Sequence, residues 1–172
     1  HSKCGINEHG ILLLNDPRNW QTFFEARHSI PDNALGKTRQ LDTWSILTDT
    51  IVPPENFQKL LDSAHTLLKK SKIEYLLFGH LGDCHLHFHL IPTKDQQNIA
   101  LHIYDQIIEK SAELGGVYSG EHGTGKRKRS DFIKCYGDEA VRSIQRTKSV
   151  FDPDFLLNRG NVIKYETHHN GL

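Results

Sequence analysis

Residues 79–90 have the sequence GHLGDCHLHFHL, and this stretch decides the predicted fold because its histidines follow a regular pattern. From His85 onward, histidines alternate with Leu86, Phe88 and Leu90. A period of two is typical of a β-strand with one buried face. Residues i and i+2 of a strand lie about 6.6–6.8 Å apart and point the same way, so their imidazoles can converge on one metal ion. The alternative is a solvated strand face that happens to be rich in histidine.

His80 favours the metal interpretation over a solvated face. It ends the apolar run before the turn Gly82-Asp83, and this turn would return the chain over the same sheet. A β-hairpin of this kind aligns His80 with the later histidines. We interpret Cys84 as a small half-buried residue. The sequence leaves open whether three further side chains join the site: Cys84, His85 and His89.

Composition limits the classes of partner. The chain has 172 residues, which suits one domain or one domain plus extensions, and its 37% hydrophobic content is compatible with a core. It carries 21 basic and 21 acidic residues. A net charge near zero gives no reason to expect nucleic acid or a membrane surface as partner. No apolar stretch approaches the 18 or so residues that a membrane span needs. The three cysteines are widely spaced, so we expect no disulfide framework and a reducing compartment.

The predicted elements follow from capping signals and hydrophobic periodicity. A first helix should start at Asp16-Pro17, run to about His28 and stop before Pro31, with a polar loop at 31–42. The remaining predicted elements are strands at 44–52, 73–80, 84–91 and 117–119, and helices at 55–72, 94–114, 130–136 and 138–150, with irregular ends at 1–15 and 164–172.

The order β-α-β-β-α-β predicts an α+β fold, a ferredoxin-like antiparallel sheet with added N- and C-terminal helices. Two helices should cover one face of the four-stranded sheet. The other face should be open for a ligand or partner, and we expect the odd-numbered histidines of 85–89 to point there.

The segment GEHGTGKR at 120–127 resembles a phosphate-binding loop, G-x-x-x-x-G-K, but Arg127 stands where the motif needs Ser or Thr. The basic run KRKR at 126–129 is more typical of a solvated turn, although it would also neutralise a partner phosphate. The loop supplies Glu121 and His122 instead. A carboxylate beside two histidines gives three protein ligands with an open position, as in catalytic metal sites. A structural Glu-His pair that caps a helix is the alternative.

Three motifs resemble those of the C-terminal domain of FAD-linked oxidases. GHLGDCHLH is similar to the family's G-H-x-G-D-G-N-x-H, SGEHGTGKRK to S-A-E-H-G-I-G-x-x-K, and FDPDFLLNRGNVI to D-P-x-x-I-L-N-P-G-K-V. EARHSIPDN also resembles the arginine-bearing segment that opens the domain. The resemblance covers about residues 17–163. The family includes D-lactate dehydrogenases, the glycolate oxidase flavoprotein subunit and D-2-hydroxyglutarate dehydrogenases.

The resemblance implies a role for each matching residue. His80 and His87 correspond to the family's two metal-binding histidines, and Glu121 to the third ligand. His122 matches the candidate general base, and Arg27 the arginine that holds the substrate carboxylate. Two residues of the closing motif are expected beside the cofactor FAD: Asn158 and Gly160. The metal is left open between Zn, Fe and Mn.

The resemblance further implies that residues 1–172 form the substrate or cap domain, and that an N-terminal FAD-binding domain lies outside this chain. The reaction would oxidise a D-2-hydroxy acid to the 2-keto acid with hydride transfer to flavin. Some positions depart from the family pattern, among them Cys84 and His85 in place of Gly-Asn. Leu47 stands where some relatives have a basic residue, which argues against a dicarboxylate and favours D-lactate or glycolate.

Other interpretations and properties stay open at this stage. A stand-alone metal-binding or ligand-sensing module with the same fold is the main alternative, and a metal-dependent hydrolase is a second. We expect a cytoplasmic location, with peripheral attachment to the inner membrane left open. The sequence determines neither the electron acceptor nor the oligomeric state, so a homodimer is left open as well.

Overall fold

A computed structural model describes residues 14–164, so most of the two ends predicted to be irregular lies outside the described residues. This part of the chain contains four α-helices, at Pro17–Gln40 (α1), Phe57–Ser71 (α2), Gln97–Glu113 (α3) and Arg129–Phe151 (α4). Its strands are Ile46–Leu47 (β1), Thr50–Ile51 (β2), Glu74–His80 (β3) and His85–Ile91 (β4). The predicted α+β class is therefore confirmed. None of these helices is long and apolar enough to cross a bilayer.

Strand β4 is the centre of an antiparallel sheet. Strand β3 pairs with its whole length on one side, so the predicted hairpin is present, with a 3₁₀ turn at Leu81–Asp83. Strands β1 and β2 pair with β4 on the other side in one common register, Leu47 opposite His89 and Thr50 opposite Leu86. This register places Asp49 opposite His87.

The predicted fourth strand at 117–119 forms only two isolated bridges. Val117 pairs with Ile51 in the antiparallel sense, whereas Ser119 pairs with Asp49 in the parallel sense. Two isolated bridges do not make a continuous strand. The ferredoxin-like arrangement therefore stays a prediction.

The apolar core lies between the sheet and helices α2 and α3. Phe88 and Leu90 of β4 are at most 1% exposed and point to this side. Helix α2 meets them with residues spaced four apart, which form one stripe of an amphipathic helix. The core cluster includes Ile46, Val52, Leu60, Ala64, Leu68, Ile73, Phe88, Leu90, Ala100, Ile103 and Ile107.

Helix α1 is longer than the sequence predicts. Asp16 caps it by accepting hydrogen bonds from the backbone N–H groups of Arg18 and Asn19. The helix then passes through Pro31 and ends at Gln40, so the predicted stop before Pro31 and the predicted loop at 31–42 are wrong. Proline disfavours a helix interior, but here the later turns pack on β4 and bury Ala34 and Thr38, which offsets the lost hydrogen bond.

The histidine face of β4 is covered, not open as predicted. His85, His87 and His89 are only 3–5% exposed. Helix α1 packs against β4 on this side, and the segment after Ser119 lies over the ring of His85. A Cβ on Gly120 would come within 2.8 Å of that ring, so only glycine allows this approach. In α4, Gly137 (φ 72°) interrupts the helix where the sequence predicts a break between two helices.

Candidate metal centre

Glu121 lies between two histidines of the β3–β4 hairpin. One carboxylate oxygen, Oε1, is 3.0 Å from Nε2 of His87, and Oε2 is 3.5 Å from Nε2 of His80. His80 ends β3 and His87 occupies the middle of β4, while Glu121 comes from the segment that follows residues 117–119. The hairpin and this distant segment thus bring together the three residues that the sequence singles out as metal ligands.

The hydrogen bonds of His87 indicate that a cation fits here. Its Nδ1 is 3.0 Å from the carbonyl oxygen of Thr48, which can only accept, so Nδ1 carries a proton. In a neutral ring Nε2 then presents a lone pair to the Glu121 carboxylate, and two acceptors at 3.0 Å repel each other. A second ring proton or a cation resolves this conflict. Two imidazole nitrogens and one carboxylate suit a divalent transition metal, and the carbonyl that fixes the His87 tautomer is a typical outer partner.

Asp49 is a part of this site that the sequence analysis missed. Ligand atoms of Asp49, His85, His87 and Glu121 all lie within 4.8 Å of one another, so this group also has the composition of a metal site. Asp49 is fully buried. The one sequence signal that pointed to Asp49 was a carboxylate in the middle of a predicted strand, the β-branched run at 44–52.

The oxygens of Asp49 are already occupied by hydrogen-bond donors. Burial alone would raise the pKa of this carboxyl, but the donors around it lower the pKa well below its ordinary value. Asp49 is therefore ionised, and its oxygens are committed to protein groups. The donors are Nε2 of His85 (2.8 Å), Oγ of Ser119 (2.5 Å), N of Glu121 (3.3 Å), N of His122 (3.0 Å) and Nζ of Lys128 (3.0 Å).

His80 and Glu121 are more accessible than Asp49. Their side chains are 44% and 46% exposed, whereas the Asp49 side chain is 0% exposed. Slight burial raises the Glu121 pKa, but the contact with His87 and the nearby imidazoles outweigh it, and the net pKa is lowered. The carboxylate is thus ionised and open to an incoming cation, which favours His80, His87 and Glu121 as the ligand set.

His122 stacks on His87 and has the properties of a proton acceptor. The two ring centroids are 4.9 Å apart with 12° between the planes. Its Nδ1 lies 3.6 Å from Oδ2 of Asp49, and its Nε2 lies 3.6 Å from Oε1 of Glu121. Desolvation lowers the His122 pKa below its ordinary value despite the nearby carboxylates. The imidazole is therefore neutral at pH 7 and able to take a proton.

Arg27 and the three candidate ligands line one cavity. Its volume is about 720 Å³, and helix α1 forms one wall with Arg27 and His28. His80, His87 and Glu121 line the same cavity. Apolar side chains complete the lining: Phe23, Ile30 and Phe78. The cavity therefore contains a guanidinium that can bind an anionic group of a ligand, together with the candidate metal ligands.

The other predicted site residues lie elsewhere. Asn158 and Gly160 do not line the Arg27 cavity; they belong to the closing segment, where the Gly160 carbonyl accepts a hydrogen bond from Arg129 (3.1 Å). Leu47 lines a neighbouring cavity of about 760 Å³, which His122 also lines. Cys84 is a half-buried free thiol in the hairpin turn and is not part of the four-residue group.

The two additional histidines differ in their contacts. Nε2 of His85 donates to Asp49, so this nitrogen is committed to the carboxylate. His89 is 5% exposed, and within residues 14–164 neither of its ring nitrogens has a hydrogen-bond partner. Burial and the proximity of His87 lower the His89 pKa, so the ring is neutral.

Comparison with known proteins identifies relatives of this chain. Residues 2–162 match the family described as FAD linked oxidases, C-terminal domain. Glycolate oxidase subunit GlcD of Bacillus subtilis is 32% identical over 141 residues, 80% of this chain and 29% of that protein. The mitochondrial D-lactate dehydrogenase [cytochrome] of Kluyveromyces lactis is 26% identical over 147 residues, which is 86% of this chain and 24% of its own length.

A D-2-hydroxyglutarate dehydrogenase of Haemophilus influenzae is 30% identical over 133 residues, 76% of this chain and 13% of that protein. The chain therefore spans less than a third of the length of each of these relatives. The family match covers nearly the whole chain and includes the hairpin histidines, Glu121 and His122. The chain belongs to the family of C-terminal domains of FAD-linked oxidases, whose named members act on 2-hydroxy acids.

Proposed function

We propose that this chain is the substrate-binding part of an FAD-dependent oxidoreductase that converts a D-2-hydroxy acid into the 2-keto acid. The observation that carries the proposal is that Arg27, His80, His87 and Glu121 line the same cavity. A 2-hydroxy acid has a carboxylate and a hydroxyl on adjacent carbons, and this cavity contains both a cationic group and candidate metal ligands. The names of the relatives support the same substrate class.

Arg27 binds the substrate carboxylate in this proposal. Its guanidinium can form two parallel hydrogen bonds with a carboxylate, which fixes orientation as well as position. Arg27 is exposed, and the cavity that it lines also has Phe23 and Phe78 in its lining. Leu47 lines the neighbouring cavity together with His122. Because some relatives are expected to have a basic residue at the position of Leu47, a small monocarboxylate such as D-lactate or glycolate is the favoured substrate.

His80, His87 and Glu121 would hold a divalent cation, Zn, Fe or Mn. The cation would supply a Lewis acid that lowers the pKa of the substrate hydroxyl. Thr48 keeps the His87 ring in the tautomer whose Nε2 faces Glu121. Of the three side chains His87 is the buried one, so its position is fixed before any ligand arrives.

His122 takes the hydroxyl proton. Its lowered pKa keeps the imidazole unprotonated near neutral pH, as a general base requires. The Asp49 carboxylate 3.6 Å from Nδ1 favours the tautomer with a proton on that nitrogen, which leaves the Nε2 lone pair to accept. Because Glu121 and His122 are adjacent in sequence, the metal ligand and the base are positioned by one backbone segment.

FAD, held mainly by an N-terminal domain outside this chain, would supply the two-electron acceptor. Asn158 and Gly160 are proposed to approach it from this side. A ferredoxin-like arrangement of the domain and a cytoplasmic location, with peripheral attachment to a membrane left open, belong to the same proposal.

Anaerobic flavin reduction in the full-length, FAD-containing protein tests the function. We expect D-lactate or glycolate to bleach the flavin, with L-lactate and D-2-hydroxyglutarate much slower. Glu121→Gln should abolish the reaction and remove bound metal, whereas the control Glu113→Gln, at an exposed position on α3, should change neither. Flavin that no 2-hydroxy acid reduces, or full activity in Glu121→Gln, would contradict the proposal. A protein that binds metal without flavin would instead favour the stand-alone module.

A further inference from the structure

The segment Ser119–Lys128, here called the anion loop, surrounds the carboxylate of Asp49. Four of the five donors to that carboxylate come from this loop: Oγ of Ser119, the backbone N–H groups of Glu121 and His122, and Nζ of Lys128. The remaining donor is Nε2 of His85 on β4. Successive backbone N–H groups that point at one anion, with a lysine beside them, are the features of a phosphate-binding loop.

The resemblance of the anion loop to a phosphate-binding loop thus has a structural basis, but its anion is internal. In G-x-x-x-x-G-K the lysine is Lys126, and this side chain is exposed. Lys128 approaches the carboxylate instead, with Nζ 3.0 Å from Oδ2, and it is only 16% exposed. Asp49 occupies the place that a phosphate would take, so the loop has no free anion site at this position.

Asp49 also determines where the metal ligand and the base lie. The backbone N–H groups that it accepts belong to Glu121 and His122 themselves. Gly120 allows the loop to lie directly against the sheet, because a Cβ there would come within 2.6–2.8 Å of Ile51 and His85. The loop is therefore held against the sheet at the residues whose side chains form the site.

We infer that Asp49 is a positioning residue: its carboxylate clamps the anion loop so that Glu121 reaches His80 and His87 and His122 lies over His87. The inference rests on the proposed function for the roles of Glu121 and His122. It competes with a simpler possibility, that Asp49 and His85 bind the metal directly, since their ligand atoms lie within 4.8 Å of those of His87 and Glu121.

The two possibilities predict opposite effects when a donor to Asp49 is removed. If Asp49 is the clamp, Lys128→Met and Ser119→Ala loosen the loop, and affinity for Mn²⁺ or Zn²⁺ falls by about tenfold or more, as is typical of outer partners of metal ligands. If Asp49 is a ligand, the same substitutions free its oxygens, and affinity stays the same or rises. These variants avoid replacing Asp49 itself, because the loss of a fully buried carboxylate endangers folding.

The experiment measures Mn²⁺ and Zn²⁺ affinity in the full-length protein, with Lys126→Met as the matched control and Lys128→Arg as the conservative rescue. We expect Lys126→Met to behave as wild type and Lys128→Arg to recover part of the affinity. Steady-state kinetics should show a lower kcat with KM for the hydroxy acid nearly unchanged, since Arg27 is intact. A general loss of folding would instead lower the melting temperature and the number of metal ions bound per chain at saturation, without changing the affinity of the molecules that remain folded.

Unchanged or increased metal affinity in Lys128→Met and Ser119→Ala would overturn the inference, as would a wild-type protein that binds no divalent cation. Failure of the proposed function has a different signature. The variants would then show the expected order of metal affinity, while no 2-hydroxy acid reduces the flavin even in the wild type.

Discussion

The two faces of β4 are about equally buried but are held in different ways. Phe88 and Leu90 belong to the apolar core cluster beneath α2 and α3. His85 and His87, on the other face, are fixed by directional contacts to Asp49, Thr48 and Glu121. The difference teaches that burial by itself does not separate core from site in this domain. A substitution on the apolar face should lower the free energy of unfolding, and a substitution on the histidine face should lower metal affinity or catalytic rate.

The largest effect should come from His122 on the histidine side. We expect His122→Asn to lower kcat for flavin reduction by about 10²–10⁴-fold, because a general base contributes that much, while metal content and melting temperature stay unchanged. His102→Asn, at an exposed position on α3, is the control and should be silent. Rapid-mixing measurements on the full-length protein give the rate of flavin reduction for both variants. Activity within a few-fold of wild type would remove His122 as the base.

On the apolar face, Phe88→Ala should cost about 3–5 kcal/mol of unfolding free energy, since it opens a cavity beside α2 and α3. Ile99→Ala, whose side chain is 50% exposed, should cost far less. Urea denaturation of the domain measures both. A small loss for Phe88→Ala would contradict the description of this face as the tightly packed core.

His89 sharpens the comparison because it lies on the histidine face and its ring has no hydrogen-bond partner among residues 14–164. A buried polar group with unmade hydrogen bonds is costly, so His89→Leu should stabilise the domain by about 1 kcal/mol or more and leave metal affinity unchanged. His87→Leu should do the reverse, because it deprives Thr48 and Glu121 of their partner. A destabilised His89→Leu variant would mean that its ring has a partner after all.

The smallest expected effect is the pH dependence of folding stability that comes from Tyr104, on the side of the sheet covered by helices. Burial and the hydrogen bond to Asp131 (2.6 Å) raise the Tyr104 pKa above its ordinary value of 10.0. A raised folded-state pKa means that the contribution of Tyr104 to stability is complete below pH 10 and is lost as pH rises above it. Denaturation at pH 8 and above pH 10 should therefore show a steeper alkaline loss for wild type than for Tyr104→Phe. An equal loss of stability with rising pH in wild type and Tyr104→Phe would contradict the raised pKa of Tyr104.

Periodicity predicts much of the fold because the information is local. The apolar stripe of α2, the alternation along β4 and the glycine break in α4 are each encoded within a few residues of sequence. The hairpin that aligns His80 with His87 follows from the same patterns and a short turn. Glu121 could be chosen from its motif, and its carboxylate does lie beside both histidines.

The remaining features depend on contacts between distant residues. Helix α1 passes Pro31 because the sheet buries Ala34 and Thr38, which no local signal indicates. Residues 117–119 form two isolated bridges instead of a strand, and the next residue, Gly120, donates its backbone N–H to the carbonyl oxygen of Asp49. The donors to Asp49 lie 36 to 79 residues further along the chain, so its importance could not be derived from the strand that contains it.

Anomalous diffraction from crystals of the full-length protein loaded with Mn²⁺ or Zn²⁺ tests the central claim most directly. The account predicts one ion bound by Nε2 of His80 and His87 and by the Glu121 carboxylate, at about 2.0–2.2 Å for Zn²⁺, with Asp49 still bonded to the anion loop. An ion coordinated by Asp49 and His85, or the absence of any ion beside Glu121, would contradict it.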